Sequence, residues 1–257
     1  MHRFSVKDDL QAQVAAWKAA GEKVAFVPTM GALHDGHLSL VALARTHAQR
    51  VVVSVYVNPT QFAPHEDFDS YPRDVDGDAA KLASAGVDAL YTPDAAQMYP
   101  GGDMQSPVQA GTAAAGLETD FRPHFFEGVV NVVYRLFDHV KPDVAVFGEK
   151  DFQQLQVISE MVAAQSLPIT IVGAPIARDP SGLALSSRNA YLSEDELVVA
   201  RQLNVILRRV ASGDIDEAQA SEALIEAGFA KVDYVAQRWG RVLGAAWLGK
   251  TRLIDNL

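Results

Sequence analysis

Two histidines lie three residues apart where an apolar run gives way to a helix-like pattern. His34 and His37 flank Asp35-Gly36 in the stretch VAFVPTMGALHDGHLSLVALA, residues 24–44. Backbone N–H groups and the positive end of a helix dipole favour phosphate at such a strand-to-helix turn, and glycine lets the backbone approach a ligand closely. The imidazoles could donate to phosphate oxygens as charge builds in a transition state. The alternative is a polar turn without a ligand.

The histidine turn does not fit the better-known site patterns. A zincin helix requires His-Glu-x-x-His, whereas this turn reads His-Asp-Gly-His. The stretch GALHDG also lacks the Gly-Lys-Ser/Thr of a Walker loop and the Gly-x-Gly-x-x-Gly of dinucleotide sites. The pattern therefore favours a phosphate site of another kind over a metal centre.

Two further candidate segments follow apolar runs. In YVNPTQF, Asn58 and Gln61 could orient a small polar substrate, although an ordinary Asn-Pro turn has the same composition. In VFGEKDFQQL, Lys150 opens a predicted helix after a strand ends at Gly148, which makes a second phosphate-type turn, with Gln154 on the first turn of that helix. The alternative is a capped helix with an exposed Glu-Lys pair.

A fourth candidate segment, LALSSRN, lies in a polar connection at residues 183–189. Its two serine hydroxyls and the planar, multi-donor guanidinium of Arg188 could wrap a polyphosphate. A serine-rich linker is the alternative for this segment taken alone.

Short β-rich runs alternate with helical patterns over the first two-thirds of the chain, and these elements must position the candidates. Their nearly continuous Val and Ile content is typical of a parallel sheet covered on both faces. The predicted strands are Lys23–Val27, Arg50–Val57, Asp88–Thr92, Asp143–Phe147 and Pro168–Val172. Helices are predicted between them, within residues 37–48, 74–86, 126–140 and 151–165. In the third helix, apolar residues recur at helical spacing and are expected to face the sheet: Val129, Val132, Val133, Leu136 and Phe137.

This alternation predicts right-handed βαβ crossovers, and hence an α/β protein with a Rossmann-like, doubly wound parallel sheet over residues 1–176. Ligands of such sheets bind outside the carboxyl ends of the strands, at the switch in strand order. Three of the four candidate segments fall on that edge. The fourth lies in a hinge region able to fold over it.

After about Ile176 the alternation of strand and helix patterns gives way to a polar, turn-rich connection. A smaller α+β C-terminal domain is predicted for residues 177–257. Ser193 is a candidate N-cap, and Glu196 three residues later completes a capping box. The last stretch, VDYVAQRWGRVLGAAWLGKTRLIDN, contains two or three strand-like pieces.

Composition narrows the functional classes. The 257 residues include no cysteine, which excludes disulfides, thiolate metal sites and a cysteine nucleophile. The formal net charge of −10 disfavours non-specific binding to nucleic acid or anionic membranes. No apolar stretch approaches the ~18 residues of a membrane span, and the start lacks a secretory pattern. We therefore expect a cytoplasmic protein with small-molecule partners and no nucleic-acid or membrane partner.

Six segments, in order from about Lys23 to the C-terminus, resemble the pantothenate synthetase family (pantoate–β-alanine ligase, AMP-forming). They are PTMGALHDGHLSL, VSVYVNPTQF, YPRD, KPDVAVFGEKDFQQL, GLALSSRNAYLS and TRLIDN. This family belongs with the nucleotidyltransferases and class I aminoacyl-tRNA synthetases that have a His-x-Gly-His type turn.

The resemblance implies a two-step reaction. ATP and (R)-pantoate first give pantoyl-adenylate and pyrophosphate, and β-alanine then attacks the acyl carbon to release AMP and pantothenate. The pantoate carboxylate attacks the α-phosphorus directly, so no enzyme nucleophile is needed, in agreement with a chain that lacks cysteine. ATP is expected as a substrate with Mg²⁺, and the protein is expected to be a homodimer.

The resemblance also implies site residues, with His37 as the proton donor. The implied catalytic residues on the phosphates are His34, His37, Lys150, Ser186, Ser187 and Arg188. The implied ATP contacts are Met30, Gly31, Ala32, Leu33, His34, Asp35, Gly36, His37, Gly148, Glu149, Lys150, Asp151, Ala177, Leu185, Ser186, Ser187 and Arg188. Pantoate and β-alanine are expected on Asn58, Gln61 and Gln154. Asp78 is a candidate Mg²⁺ ligand or, alternatively, a charge at a helix N-terminus.

The chain departs from the family pattern at several places. Leu185 stands where methionine is usual, a volume-conserving change. The residues from His124 to Phe126 read His-Phe-Phe where Gly-His-Phe is usual, and Ala63-Pro64 stand where a glycine is common. The stretch from Tyr234 to Arg241 is shorter than usual, which leaves the shape of the C-terminal domain open.

Two rival functions share the histidine turn. An adenylyltransferase would transfer AMP to a phosphate and keep it in the product, but it has no need for Gln61 and Gln154 facing one crevice. A catalytically idle nucleotide-binding protein would bind ATP without exchanging pyrophosphate into it. Product analysis separates the ligase from the adenylyltransferase, because only the ligase releases free AMP that depends on β-alanine. Pantoate-dependent exchange of label between pyrophosphate and ATP separates the ligase from the idle protein.

Overall fold

The computed structural model describes residues 1–62, 68–69 and 71–257, so the Ala63-Pro64 departure lies outside the described residues. Contacts divide the chain into two compact units, the first comprising Met1–Glu149 and Gln153–Ala174, and the second Lys150–Phe152 and Pro175–Leu257. Residues 150–152, which the predicted division places in the first domain, thus group with the second unit. The domain boundary at residue 177 stays a prediction.

A parallel sheet forms the centre of the first unit, as predicted, and it has six strands, one more than the five predicted. Its strands are β1 (His2–Phe4), β2 (Val24–Thr29), β3 (Arg50–Val55), β4 (Ala89–Tyr91), β5 (Val144–Gly148) and β6 (Thr170–Ala174). The strand order is β1-β4-β3-β2-β5-β6, and neighbouring strands pair in parallel. Strand order therefore switches between β2 and β5. The short edge strand β1 was not predicted, because His2 and Arg3 are exposed and give no apolar run.

Helices flank this sheet in the first unit. They are α1 (Lys7–Ala19), α2 (Asp35–His47), α3 (Val75–Ser84), α4 (Ala95–Met98), α5 (Glu118–Phe121), α6 (Phe125–Val140) and α7 (Phe152–Ala164). Short 3₁₀ turns span Pro59–Gln61, Pro100–Gly102, Thr112–Ala114 and Glu149–Asp151. Helix α1 was not predicted, yet it buries Leu10, Val14 and Trp17 at helical spacing.

Both faces of the central strands are buried, which explains why β2, β3 and β5 are nearly continuously apolar. Val27 of β2 packs in one core cluster with Val41 of α2 and Leu82 of α3. Phe26 points to the opposite face because side chains alternate along a strand, and its ring lies 6.3 Å from that of Phe137 in α6. The prediction that the Val129–Phe137 stripe of α6 faces the sheet agrees with this packing.

The second unit is a small α+β domain. It contains α8 (Glu194–Ala211), α9 (Glu217–Glu226), a 3₁₀ turn (Ser187–Tyr191) and the antiparallel strands β7 (Lys231–Arg238), β8 (Arg241–Leu248) and β9 (Thr251–Asn256). The predicted capping box is present, since Ser193 Oγ accepts from Glu196 N at 3.2 Å and Glu196 Oε2 accepts from Ser193 N at 2.8 Å.

The shortened stretch before Arg241 forms a tight hairpin between β7 and β8. Only Trp239 and Gly240 lie between the two strands, with φ values of 53° and 71°. Positive φ at both central residues is what a two-residue type I′ turn requires, and this turn matches the twist of the flanking strands. The stretch from Tyr234 to Arg241 therefore forms a paired hairpin within an intact three-stranded sheet. None of the helices in the described part of the chain is long and apolar enough to cross a membrane.

Candidate active site

The two histidines cap the helix that they begin. Helix α2 starts at Asp35, so His34 is its N-cap and His37 lies in its first turn. His34 Nδ1 accepts a hydrogen bond from Gly36 N at 3.1 Å, and His37 Nδ1 accepts one from His34 N at 3.3 Å. The ring centroids lie 4.2 Å apart. The imidazoles thus take the place that Ser/Thr and Glu/Gln usually hold in a reciprocal capping box.

This capping sets the tautomer of both rings. A neutral imidazole whose Nδ1 accepts a hydrogen bond has its proton on Nε2. His34 and His37 are both partly exposed. Each ring can therefore present an Nε2–H donor next to the N-terminus of α2, which is the donor arrangement that phosphate oxygens need.

The turn before the histidines contains two residues with positive φ, and one of them packs closely against β3 and α3. Gly31 and Ala32 have φ values of +84° and +52°. A Cβ on Gly31 would lie 3.1 Å from both Asp78 Oδ2 and Val55 Cγ1. Glycine is therefore needed at position 31, where a side chain would press on β3 and α3.

Two side chains of helix α3 bind the backbone N–H and C=O of the next residue, Leu33. Asp78 Oδ1 accepts from Leu33 N at 2.8 Å, and Lys81 Nζ donates to Leu33 O at 2.7 Å. Leu33 itself is buried. The histidine turn is thus fastened from one side by a helix that lies more than forty residues later in the chain. No sequence pattern indicated the role of Lys81.

Asp78 was predicted as a Mg²⁺ ligand or a helix N-terminal charge. Its side chain is 2% exposed, and its observed contact is the backbone N–H of Leu33 in the turn before the histidines. Its Oδ2 atom has no hydrogen-bond partner among the described residues. No group of three or more His, Asp or Glu side chains in that part of the chain could hold a metal ion. The Mg²⁺ role stays a prediction, while the structural role is observed.

Asn58 and Gln61 lie at the two ends of a turn beyond β3, and their side chains differ in surroundings. The Asn58 side chain is 1% exposed; its oxygen accepts from Tyr99 Oη at 2.7 Å and Thr60 Oγ1 at 3.1 Å, and its nitrogen donates to Gly128 O at 3.1 Å. Asn58 therefore holds the turn, and its predicted contact with substrate stays a prediction. Gln61 is partly exposed.

Helix α6 supports the same turn. A Cβ on Gly128 would lie 2.4 Å from Thr60 O, so only glycine lets α6 approach so closely. Arg122 donates to Gln61 O at 3.1 Å and stacks on Phe125, with its guanidinium carbon 3.8 Å from the ring centroid. His124, which departs from the family pattern, is exposed and is the N-cap of α6, without a side-chain capping hydrogen bond. Arg122 thus contacts the backbone of Gln61, and Gly128 contacts the preceding residue, Thr60; sequence analysis singled out neither Arg122 nor Gly128.

Two neighbouring glutamines of α7 differ in their surroundings. Gln153 is 3% exposed, accepts from Glu118 N at 3.1 Å and donates to Ala113 O at 3.1 Å and Gly116 O at 3.0 Å. It therefore fastens the loop before α5. Gln154, the predicted pantoate residue, is partly exposed. A sequence with Gln-Gln cannot say which of the two faces solvent.

In the second unit, the remaining predicted ATP residues lie on a turn and a small loop. Lys150 is in the 3₁₀ turn Glu149–Asp151, with its Nζ 3.7 Å from Asp151 Oδ2. Leu185 N donates to Ala177 O at 2.9 Å, so these two predicted residues close one loop. Ser186 caps the following 3₁₀ turn by accepting from Arg188 N at 3.3 Å, and Ser187 begins that turn.

The fold and the histidine turn together define a class of protein. The carboxyl ends of β2 and β5 lie at the switch in strand order, β2 leads into the histidine-capped helix, and β5 ends at Gly148. This is the ligand position of open α/β sheets. The chain is therefore a Rossmann-like protein built to bind an anionic ligand such as a nucleotide.

Comparison with known proteins identifies the family. The family model described as pantoate-beta-alanine ligase matches residues 2–257. The chain is 54% identical to the pantothenate synthetase of Mesorhizobium japonicum over 267 residues, covering 96% of this chain and 94% of that protein. It is 51% identical to the pantothenate synthetase of Caulobacter vibrioides, covering 97% and 95%. The chain belongs to the pantoate–β-alanine ligase family.

Solved structures agree. The pantothenate synthetase of Thermus thermophilus superposes with a TM-score of 0.89 at 41% identity, covering 100% of this chain and 99% of that chain. The pantoate-beta-alanine ligase of Francisella tularensis, solved in complex with beta-gamma ATP and beta-alanine, gives a TM-score of 0.89 at 34% identity, covering 100% and 97%.

Proposed function

We propose that this ligase condenses (R)-pantoate with β-alanine at the expense of ATP, through a pantoyl-adenylate, with release of AMP and pyrophosphate. Family membership over residues 2–257 supports the overall reaction. The structural observation that carries the proposal is the pair of histidines, with rings 4.2 Å apart, at the N-terminus of α2.

In the first step, a carboxylate oxygen of pantoate attacks the α-phosphorus of ATP and pyrophosphate leaves. The Nε2–H groups of His34 and His37 donate to phosphate oxygens as negative charge shifts towards the leaving pyrophosphate. Both rings are held by backbone donors to their Nδ1 atoms, so little reorganisation is needed during the reaction. No enzyme nucleophile takes part, in agreement with a chain without cysteine.

In the second step, the amine of β-alanine attacks the acyl carbon. A C–N bond forms, the acyl–phosphate C–O bond breaks, the amine loses a proton, and AMP leaves. We assign Gln61 and Gln154 to pantoate and Gln61 also to the border of the β-alanine site, since both glutamines are partly exposed. Asn58 would then act through the turn that it holds.

Further parts of the proposal rest on the resemblance. Lys150, Ala177, Leu185, Ser186, Ser187 and Arg188 are assigned to ATP, and Mg²⁺ is assigned as part of the MgATP substrate. Asp78 would supply one ligand, through the carboxylate oxygen that has no hydrogen-bond partner among the described residues. A homodimer, a cytoplasmic location and a domain boundary at residue 177 complete the proposal.

The test is AMP formation by the purified protein with ATP, Mg²⁺ and pantoate, with and without β-alanine. AMP that rises in step with pantothenate only when β-alanine is present is the expected result. AMP retained in an adenylylated product would instead establish the adenylyltransferase. ATP binding without pantoate-dependent exchange of pyrophosphate into ATP would indicate a nucleotide-binding protein without this activity.

A further inference from the structure

The C-terminal motif TRLIDN has no role in the reaction described so far, yet its last two residues are buried. Asp255 and Asn256, at the end of β9, are 4% and 1% exposed. A buried carboxylate and a buried amide are costly to desolvate unless they are hydrogen-bonded. Their partners therefore show what these two residues hold in place.

Asn256 holds the backbone of Lys150. Its Oδ1 accepts from Arg241 Nη1 at 2.8 Å, and its Nδ2 donates to Lys150 O at 3.0 Å. A guanidinium can only donate hydrogen bonds, so the amide oxygen must face Arg241 and the amide nitrogen must face the carbonyl of Lys150. Arg241 thus fixes which way the Asn256 amide points.

The same arginine covers the residue that ends the Lys150 segment. The guanidinium carbon of Arg241 lies 4.3 Å from the ring centroid of Phe152, and the Phe152 ring lies 6.3 Å from the ring of Trp239 at the hairpin tip. Residues 150–152 are therefore held at their backbone by β9 and at their side chain by the β7–β8 hairpin. This explains why they group with the second unit.

Asp255 holds the loop from Ala177 to Leu185, the second segment assigned to ATP, through Arg178. The two guanidinium nitrogens of Arg178 donate to Asp255 Oδ2 at 2.7 Å and Oδ1 at 2.8 Å, a bidentate pair. The same nitrogens donate to Gly182 O and Asn256 O, both at 3.0 Å. Arg178 lies in the loop that Ala177 and Leu185 close by their 2.9 Å hydrogen bond.

We propose that Asp255 and Asn256 are positioning residues that set the Lys150 turn and the Ala177–Leu185 loop in one fixed relation within the second unit. Asn256 acts on the Lys150 carbonyl, and Asp255 acts on the loop through Arg178. The inference rests on the proposed function, in which Lys150 and this loop contact ATP. Two adjacent residues of β9 would thus place both the Lys150 turn and the Ala177–Leu185 loop.

Such positioning matters for the first chemical step. A phosphate-binding group displaced by about 1 Å can lower a rate by about 10²-fold. Lys150 is assigned to the phosphates that leave in adenylation, whereas attack by β-alanine on the acyl-adenylate follows their departure. A defect in positioning should therefore appear in adenylation and spare the second step.

The test compares Asn256→Asp and Asn256→Ala with the wild-type protein. Both variants lose the donor to Lys150 O, and only the first adds a charge. Pantoate-dependent exchange of labelled pyrophosphate into ATP measures adenylation, and β-alanine attack on supplied pantoyl-adenylate measures the second step. Both variants should lose about 10-fold or more in exchange, with the second step within about twofold of wild type.

Asp233→Asn is the matched control in the same unit. Asp233 is a buried carboxylate bonded to Arg252 Nε at 2.7 Å and Trp247 Nε1 at 3.0 Å, and it holds neither ATP segment. This control should lower thermal stability without a specific loss of exchange. Arg241→Gln is a second variant that keeps Asn256 but removes the group that orients its amide, and it should lower exchange in the same direction.

The outcomes separate the inference from the proposed function. Absence of pantoate-dependent exchange in the wild-type protein would remove the proposed function and this inference with it. Wild-type exchange combined with unchanged exchange in folded Asn256→Ala would overturn the inference alone. So would a loss that only follows the folded fraction, as in Asp233→Asn, or that falls equally on both steps.

Discussion

At the scale of single residues, each histidine of the pair has two tasks on its two ring nitrogens. The Nδ1 atoms of His34 and His37 accept backbone hydrogen bonds at 3.1 and 3.3 Å and so begin α2. The Nε2 atoms are assigned to the phosphates of ATP. A substitution by asparagine can separate these two tasks. Its side chain offers a hydrogen-bond acceptor near the Nδ1 position but has no counterpart of Nε2.

His37→Asn and His37→Ala are the variants that separate the two tasks. Both should lower pantoate-dependent pyrophosphate exchange by about 10²-fold, since both remove a donor to the transition state. Only His37→Ala should also lower the free energy of unfolding, by about 1 kcal/mol, because the capping acceptor is lost. Chemical denaturation and the exchange assay measure the two effects. Normal exchange in His37→Asn would refute the assigned role of Nε2.

The neighbouring glutamines of α7 give a second comparison at this scale. Gln154→Ala should raise the KM for pantoate about 10-fold with little change in stability, because the side chain is partly exposed and assigned to substrate. Gln153→Ala should lower the free energy of unfolding by about 1–3 kcal/mol, because the buried Glu118 N and the partly buried carbonyls of Ala113 and Gly116 lose this partner. Thermal melts and pantoate titrations distinguish them. Unchanged pantoate kinetics in Gln154→Ala would contradict the assignment.

At the scale of elements, helix α3 clamps the turn between β2 and α2. Asp78 and Lys81 lie one helical turn apart and bind the N–H and the C=O of Leu33. Residues three apart on a helix lie on the same face, so the spacing suits one backbone unit between them. The clamp secures a turn whose positive φ at Ala32 is costly for a residue with a side chain.

Asp78 variants test this clamp against the Mg²⁺ prediction. Asp78→Ala should raise the KM for ATP about 10-fold and lower stability by about 1–3 kcal/mol, because Leu33 N loses its partner. Asp78→Asn keeps an acceptor and should restore most of both. If Asp78 binds Mg²⁺ instead, Asp78→Asn should raise the Mg²⁺ requirement as much as Asp78→Ala does. Asp76→Ala is the control, since the Asp76 side chain is 89% exposed.

At the scale of the whole molecule, a buried histidine outside the site links stability to pH. His139 of α6 is 5% exposed and pairs with the hydroxyl of Tyr91 in β4 at 2.9 Å. Burial lowers the pKa of His139 to about 4, and the charge of Lys7 acts in the same direction. The unfolded chain takes up a proton near pH 6.5, whereas the folded protein does not until about pH 4. Stability is therefore complete above pH 6.5 and falls as the pH drops towards 4.

His139→Asn should flatten this dependence. Asparagine keeps an acceptor for Tyr91 but cannot be protonated, so about 2 kcal/mol of the loss expected between pH 7 and pH 4 should disappear. Urea denaturation at several pH values measures it. His47→Gln is the control, because His47 is exposed on the end of α2. An equally steep pH dependence in His139→Asn would show that other groups cause it.

Local sequence patterns predicted most of the elements and the position of the histidine turn. The apolar strands, the α6 stripe, the Ser193 capping box and the histidine-glycine turn were all predicted, because each depends on residues within a few positions of one another. Helix α1 was missed, because only three of its residues are buried behind a largely exposed surface. The edge strand β1 was missed for a similar reason.

Only the tertiary structure decided which residues hold the site. Asp78 and Lys81 reach Leu33, Gly128 touches Thr60, and Asn256 binds the carbonyl of Lys150 from 106 residues away. These contacts depend on strand order and helix placement, which no local pattern of residue types encodes. The same is true of Gln153 and Gln154, where identical side chains differ only in the face of α7 on which they lie. Chemistry that lies within one turn can be predicted from sequence, whereas its support comes from residues that only the folded chain brings near.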